Sequence, residues 1–419
     1  MIDIVSVVRT FIILLLIALV VIIVARRLAI PYTLGLVIVG LAISLFVNLQ
    51  GVRLTPDLVL FVFLPALLFE GAFASSVRHL REHWLPVLTF AIPGVLLTLI
   101  IIALPFHFLI GLDWATALLL GAILAPTDPI AVLGLFRQLK ASPDLSAIIE
   151  GESLFNDGVA GSLYQIFLAL IVASAQGHAE TGAVLWFHGI GTFLLEAGGG
   201  CVVGLLCSFL VSRALKFVDE PLFETIVTIV TAYGSYLLAD ALHVSGIIAV
   251  VVAGLVIGSY GRSIGLSEQT REIVDAFWSV LGFLANALIF LLVGLELNPV
   301  KFLTFPGLNS ILANAGLAIC AVLIARLLMV YLLPRAWTSV KVRSLPLWRV
   351  TLFWSGLRGA LSLALVLALP LEVPKREVLL ISTYAVILFT LLVQGLSIRV
   401  IIQQASVRTP EVSQEDATP

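Results

Sequence analysis

Thirteen mostly apolar runs follow one another along this chain, most of them near the length of a membrane span. They lie at roughly 4–25, 32–49, 56–74, 85–108, 113–136, 147–174, 186–211, 221–241, 244–260, 271–297, 308–333, 347–370 and 377–402. A helix needs about 20 apolar residues to cross hydrocarbon. Hydrocarbon offers no water to the backbone, so only helices and closed barrels can cross it, and runs this continuous suit helices. The expected fold class is an all-α polytopic membrane protein with thirteen transmembrane helices. Composition agrees: 61% of the 419 residues are hydrophobic and 11% charged, against about 25% charged in soluble domains. A net charge of −2 suits no nucleic-acid partner. Cys201, Cys207 and Cys320 fall in apolar stretches without metal-ligand spacing. Residues 1–402 are read as the membrane domain and 403–419 as a short polar cytoplasmic tail.

The basic residues test the count. With the N-terminus outside, sixteen of the 23 Lys and Arg fall in cytoplasmic loops or the tail. Five fall on the outer side (Arg9, Arg53, Lys301, Lys375 and Arg376), and Arg326 and Arg358 lie inside spans. A span missed or invented would scramble this positive-inside bias, which puts the C-terminus in the cytoplasm.

Two spans are interrupted. Span five carries Pro126-Thr127-Asp128-Pro129 and span twelve carries Ser355-Gly356-Leu357-Arg358-Gly359-Ala360. Prolines remove backbone donors and clash with the preceding turn. Freed backbone groups at membrane depth persist only in buried or wet surroundings. The two spans are seven apart, an odd offset that gives equivalent helices opposite orientations, as an inverted repeat requires. Interrupted segments at matched places point to a transport site.

Charges at depth are costly and mark function or pairing. In span six, Ser153 and Asp157 share a helix face, four residues apart. A hydroxyl and a carboxylate together suit a hard cation such as Na⁺. Asp157 is read as the transported-ion carboxylate, the alternative being a buried salt bridge. Asn156 is read as a fastener toward unwound backbone or the Thr127 hydroxyl. Glu152 faces elsewhere and is assigned a structural pair with Arg326 in span eleven. Arg358 is read as a fixed cation offsetting the C-terminal dipole of a broken helix, with anion binding as the alternative. Glu70 closes the run before it in span three and is compatible with a headgroup-zone acid. Asp240, Glu224, Asp275, Glu296 and Glu196 are read as interfacial.

The signatures FLPALLFE (63–70), APTDP (125–129), ESLFND (152–157), VSGIIA (244–249), FLLVGLE (290–296) and GLRGA (356–360) resemble those of the NhaP/NHE-type sodium/proton antiporters over nearly the whole chain. The resemblance implies two inverted six-helix repeats around a linking helix, with two crossed, broken helices. A core bundle moves against a dimerisation bundle, and the resemblance implies a homodimer. It implies a cation and proton site at Asp157, Asp128, Ser153, Thr127 and Glu70, taking Na⁺ or Li⁺. It implies an Asn156–Thr127 contact, a Glu152–Arg326 pair and a fixed Arg358 around that site. The family often has two prolines before the span-three acid, whereas here the second is Ala66.

The expected activity is exchange of Na⁺ (or Li⁺) for H⁺ by alternating access, one for one, in a bacterial or archaeal plasma membrane. Asn-Asp at 156–157, in place of two acids, leaves one of the pair neutral and suits electroneutral exchange. No cofactor is expected, and membrane lipid is the surrounding partner. The alternatives are K⁺/H⁺ exchange, a cation channel, and an intramembrane aspartyl protease using Asp128 and Asp157. Pro-flanked Asp128 and the missing glycine-aspartate motif argue against the protease.

Overall fold

The computed structural model describes residues 4–28, 30–46, 58–128, 132–134, 136, 142–175, 183–216, 220–264, 267–296, 308–335 and 347–407. Apart from turns and short connectors they are helical, in the order α1 (Ile4–Leu28), α2 (Tyr32–Phe46), α3 (Leu58–Ala74), α4 (Trp84–Phe108), α5 (Trp114–Leu124), α6 (Pro143–Ala175), α7 (Ala183–Leu215), α8 (Pro221–Ala241), α9 (Gly246–Ile264), α10 (Glu268–Glu296), α11 (Leu308–Leu332), α12a (Trp348–Trp354), α12b (Ala360–Leu367) and α13 (Arg376–Gln404). Among the described residues, nine helices are long and apolar enough to cross a membrane. The apolar helices α2, α3 and α5 are shorter, and α12 is interrupted. Every run expected from the sequence meets helix, consistent with thirteen crossings.

Local chemistry sets the ends. Asp113 caps α5 by accepting the Thr116 N–H at 3.0 Å, and Ser245 caps α9 by accepting the Ile248 N–H at 3.3 Å. The weakest divider in the sequence, between spans eight and nine, is a turn with His243 in the left-handed region at φ 57°. Some boundaries differ from expectation. Helix α6 starts at Pro143, before the expected 147, because Pro suits a first helical turn. Helical turns at the C-terminal end run on to Val407, beyond the expected boundary at 402; residues 408–419 lie outside the described residues. Helix α3 begins with a π-wound stretch, Leu58–Phe63, and α13 contains another, Thr390–Gln394.

The helices sort into two groups by contact. One holds α4, α5, α6, α11, α12 and α13; the other holds α1, α2, α3, α8, α9 and α10, with α7 packed on α8 and α9. The pairings obey the seven-helix offset. The α2–α10 contact is the most extensive, and its counterpart α9–α3 is also large. Contacts of α1 with α10 match those of α8 with α3, and α5 meets its own equivalent, α12b. This is the signature of two six-helix repeats related by a twofold axis, with α7 between them.

Where α2 and α10 cross, Gly40 and Gly294 bring the backbones together. A Cβ on Gly40 would lie 2.9 Å from the Gly294 Cα. Without a hydrophobic drive between helices in lipid, such small residues permit the close packing that holds them. Glu224 sits in the first turn of α8, at a span end as expected, and is fully buried there. Asp275 is paired with Arg262 at 2.5 Å.

Candidate functional site

Helix α5 stops at Leu124, and the backbone is unwound through Thr127 and Asp128. Helix α12a stops at Trp354 and α12b begins at Ala360. The two gaps satisfy each other. The Asp128 N–H donates to the Leu357 carbonyl at 2.8 Å. Buried Arg358 donates from Nη1 to the Ala125 carbonyl and, at 2.8 Å, to the Pro126 carbonyl. Those carbonyls form the negative end of α5, so the guanidinium neutralises a helix C-terminus. The complementary arrangement holds on the other side. Gly359, at the N-terminus of α12b, lies so close to Asp128 that any side chain there would overlap its carboxylate. A helix N-terminus favours a negative group. The Arg358 N–H is held by Thr390 Oγ1 at 3.2 Å, inside the π-wound stretch of α13.

Helix α6 passes the unwound segment of α5 as one continuous rod. Ser153 Oγ donates to the Thr127 carbonyl, and Asn156 Nδ2 donates to Thr127 Oγ1 at 2.8 Å. Asp157 is one turn on from Ser153. Its Oδ1 is buried and has no hydrogen-bond partner among the described residues. Around the helix from this face, Glu152 forms a two-pronged ion pair with Arg326, through Nη1 to Oε1 and through Nη2 to Oε2 at 3.1 Å. Arg326 also donates from Nε to the Leu352 carbonyl at 3.0 Å, near the end of α12a. Both side chains are almost fully buried. Charges this deep persist only when paired and hydrogen-bonded on both sides.

A cavity of about 390 Å³ opens between the two groups of helices. One wall carries Thr127, Asp128, Ser153, Asp157 and Ser362; the other carries Tyr32 of α2, Glu70 of α3 and Asn286 of α10. It extends to Ser75 and Glu150, where Ser75 Oγ donates to Glu150 Oε1 at 2.6 Å. Glu70 is packed against the bare backbone of Gly282, where a Cβ would come within 3.1 Å of its carboxylate. Such a lining of hydroxyls, carbonyls and carboxylates offers hard oxygen donors. Among the described residues, no three His, Cys, Asp or Glu side chains form a compact metal-holding group. Glu70, Asp128 and Asp157 therefore share one cavity, with Glu150 at its far end, without forming a compact metal-holding trio.

The model of the family described as "Sodium/hydrogen exchanger, transmembrane" matches residues 14–404. The chain belongs to the sodium/hydrogen exchanger family. It is 38% identical over 382 residues to the low-affinity Na⁺/H⁺ antiporter NhaS1 of Synechocystis sp., covering 89% of this chain and 69% of that protein. It is 36% identical over 404 residues to the Na⁺/H⁺ antiporter NhaH of Halobacillus aidingensis, covering 93% and 96%. The fold is similar to that of the sodium proton antiporter MjNhaP1 of Methanocaldococcus jannaschii, with TM-score 0.79 and 20% identity over 97% of this chain and all of that one. Exchangers are transporters, which removes the protease reading.

In this exchanger all five expected ligand residues line one cavity: Asp157, Asp128, Ser153, Thr127 and Glu70. The four expected supporting residues, Asn156, Glu152, Arg326 and Arg358, lie just behind them, each engaged as described. Asn286 and Ser362 were not among the expected residues. Each is buried, lines the cavity, and has a side-chain oxygen without a hydrogen-bond partner among the described residues. The spacing of Ser279, Gly282 and Asn286 was a faint signal, since residues three and four apart share a helix face.

Proposed function

We propose that this exchanger trades one Na⁺ (or Li⁺) for one H⁺ at Asp157 by alternating access. The observation that carries the reading is the position of Asp157: one turn from Ser153, with a buried carboxylate oxygen that has no hydrogen-bond partner among the described residues, in a cavity where two broken helices meet. A carboxylate in such surroundings holds a proton or a cation, and the two exclude each other. Cation binding from one side releases the proton there, and proton binding on the other side releases the cation. Asp128, Ser153, Glu70 and the Thr127 carbonyl add oxygen ligands. Arg358 and the Glu152–Arg326 pair keep the broken helices and α6 in register.

The two groups of helices supply the moving parts. Asp157, Asp128, Ser153 and Thr127 belong to one group and Glu70 to the other, so sliding of one past the other exposes the site alternately. The bias of basic loops supports an N-terminus outside and a cytoplasmic end at Ser75, where the cavity leads. The cell setting is a homodimer in a bacterial or archaeal plasma membrane. The named relatives are antiporters for Na⁺ and H⁺, which favours Na⁺ over K⁺ and exchange over a channel. Neutral Asn156, tied to Thr127, favours one-for-one stoichiometry. The test is Na⁺-driven proton movement in proteoliposomes with an imposed membrane potential. Electroneutral exchange leaves the rate independent of potential, and a rate that follows potential refutes the stoichiometry.

A further inference from the structure

Asn286 and Ser362 have no part in the reading above, yet they occupy the same cavity. Asn286 is 4% exposed and Ser362 fully buried, and Asn286 Oδ1 and Ser362 Oγ have no hydrogen-bond partner among the described residues. A buried polar group left unmatched is costly. Two such costs in one cavity, beside a third on Asp157 Oδ1, call for a common partner inside it.

Their positions pick out that partner. Asn286 lies one turn along α10 from Gly282, the residue against which Glu70 packs. Ser362 lies in the first turn of α12b, three residues from Gly359, the residue that abuts Asp128. Each neutral residue thus lies within a helical turn of a glycine that abuts one of the outlying acids, and lines the same cavity. The acids themselves do not close into a compact set, and a hard cation takes several oxygen ligands. Neutral donors also fit the charge balance: a further carboxylate would bring a further proton, whereas an amide and a hydroxyl add ligands without changing the stoichiometry.

We propose that Asn286 Oδ1 and Ser362 Oγ are ligands of the transported cation, directly or through one of its waters, and set its selectivity by size. This rests on the exchange reading above. Asn286 comes from the second group of helices, so it adds a second contact across the sliding boundary besides Glu70.

The experiment measures Na⁺ and Li⁺ titrations of exchange in proteoliposomes for the wild type, Ser362→Ala and Asn286→Ser. Removing one ion–dipole contact should raise the apparent KM for Na⁺ by roughly tenfold, the equivalent of about 1.4 kcal/mol. Li⁺ is smaller and satisfied by fewer ligands, so its KM should rise less and the Na⁺/Li⁺ preference should move toward Li⁺. A merely structural role would scale both cations together, and that result overturns the proposal, as does an unchanged KM in both variants. Asn286→Ser keeps an oxygen and shortens the side chain, and Ser362→Ala removes one atom; a melting curve of each purified variant verifies the fold. If only one variant folds, its Na⁺/Li⁺ ratio decides. Failure of the wild type to couple Na⁺ to H⁺ sinks the exchange reading instead, so the two failures are distinct.

Discussion

Breaking the Glu152–Arg326 pair should cost stability and spare the ion site. Arg326 joins α11 to α6 through Glu152 and to α12a through the Leu352 carbonyl. Removing one partner of a buried pair leaves an uncompensated charge, at about 3–5 kcal/mol. For Arg326→Met the lost bond to Leu352 adds roughly 1 kcal/mol, so it should be worse than Glu152→Leu, the other single variant. Replacing both residues by apolar ones, as in Glu152→Leu with Arg326→Met, removes both charges together, and buried pairs replaced this way are often neutral in stability. The double variant should therefore melt above either single one, with a coupling of about 2 kcal/mol or more. The assay is thermal unfolding of the four proteins in one detergent, run at several scan rates. Additive losses would refute the pairing energetics. A stable Arg326→Met protein whose only defect is a shifted KM for Na⁺ would refute its structural role.

The remaining predictions concern the site itself. Asp157→Asn should abolish Na⁺-driven proton movement while gel filtration stays unchanged, and retained exchange would overturn the site. In Na⁺ titrations at a series of pH values, lowering pH should raise the apparent KM for Na⁺ in the wild type, because proton and cation compete for Asp157; a KM flat across pH contradicts competition. Gly359→Ala should clash with Asp128 and cost about 1–3 kcal/mol by overpacking, which a melting curve would register; an unshifted melt would mean that the breaks are not tightly crossed. Asn156→Ala should lose its bond to Thr127, worth about 1 kcal/mol, and slow exchange without abolishing it.

The legible parts of the fold were those where the membrane makes error expensive. Unpaired charges at depth are costly, so Glu152 and Arg326 could be matched from sequence alone. The prolines at 126 and 129 exposed the break in α5, and Gly356 and Gly359 exposed the break in α12. Arg358 was legible as a fixed cation, but its acceptors, the Ala125 and Pro126 carbonyls, were not, because a backbone oxygen leaves no mark on a residue's identity. Glu224 reads as interfacial from its place near a helix end, and that place says nothing of the packing that buries it. Asn286 and Ser362 escaped notice because neutral polar residues in an apolar helix cost little and occur often. The π-wound stretch at Thr390–Gln394 had no sequence signature, though it presents Thr390 to Arg358.

Helix α6 crosses the broken segments without a break of its own, and that continuity fixes how the gene can vary. Glu150, Glu152, Ser153, Asn156 and Asp157 each face a different neighbour: Ser75, Arg326, the Thr127 carbonyl, the Thr127 hydroxyl and the cavity. Each residue along a helix turns by about 100°. Inserting or deleting one codon between positions 150 and 157 would turn every later side chain away from its neighbour at once, whatever residue was added. The spacing within this segment is therefore fixed by geometry, and a library of single-codon deletions should show a gap there while the connecting loops tolerate them.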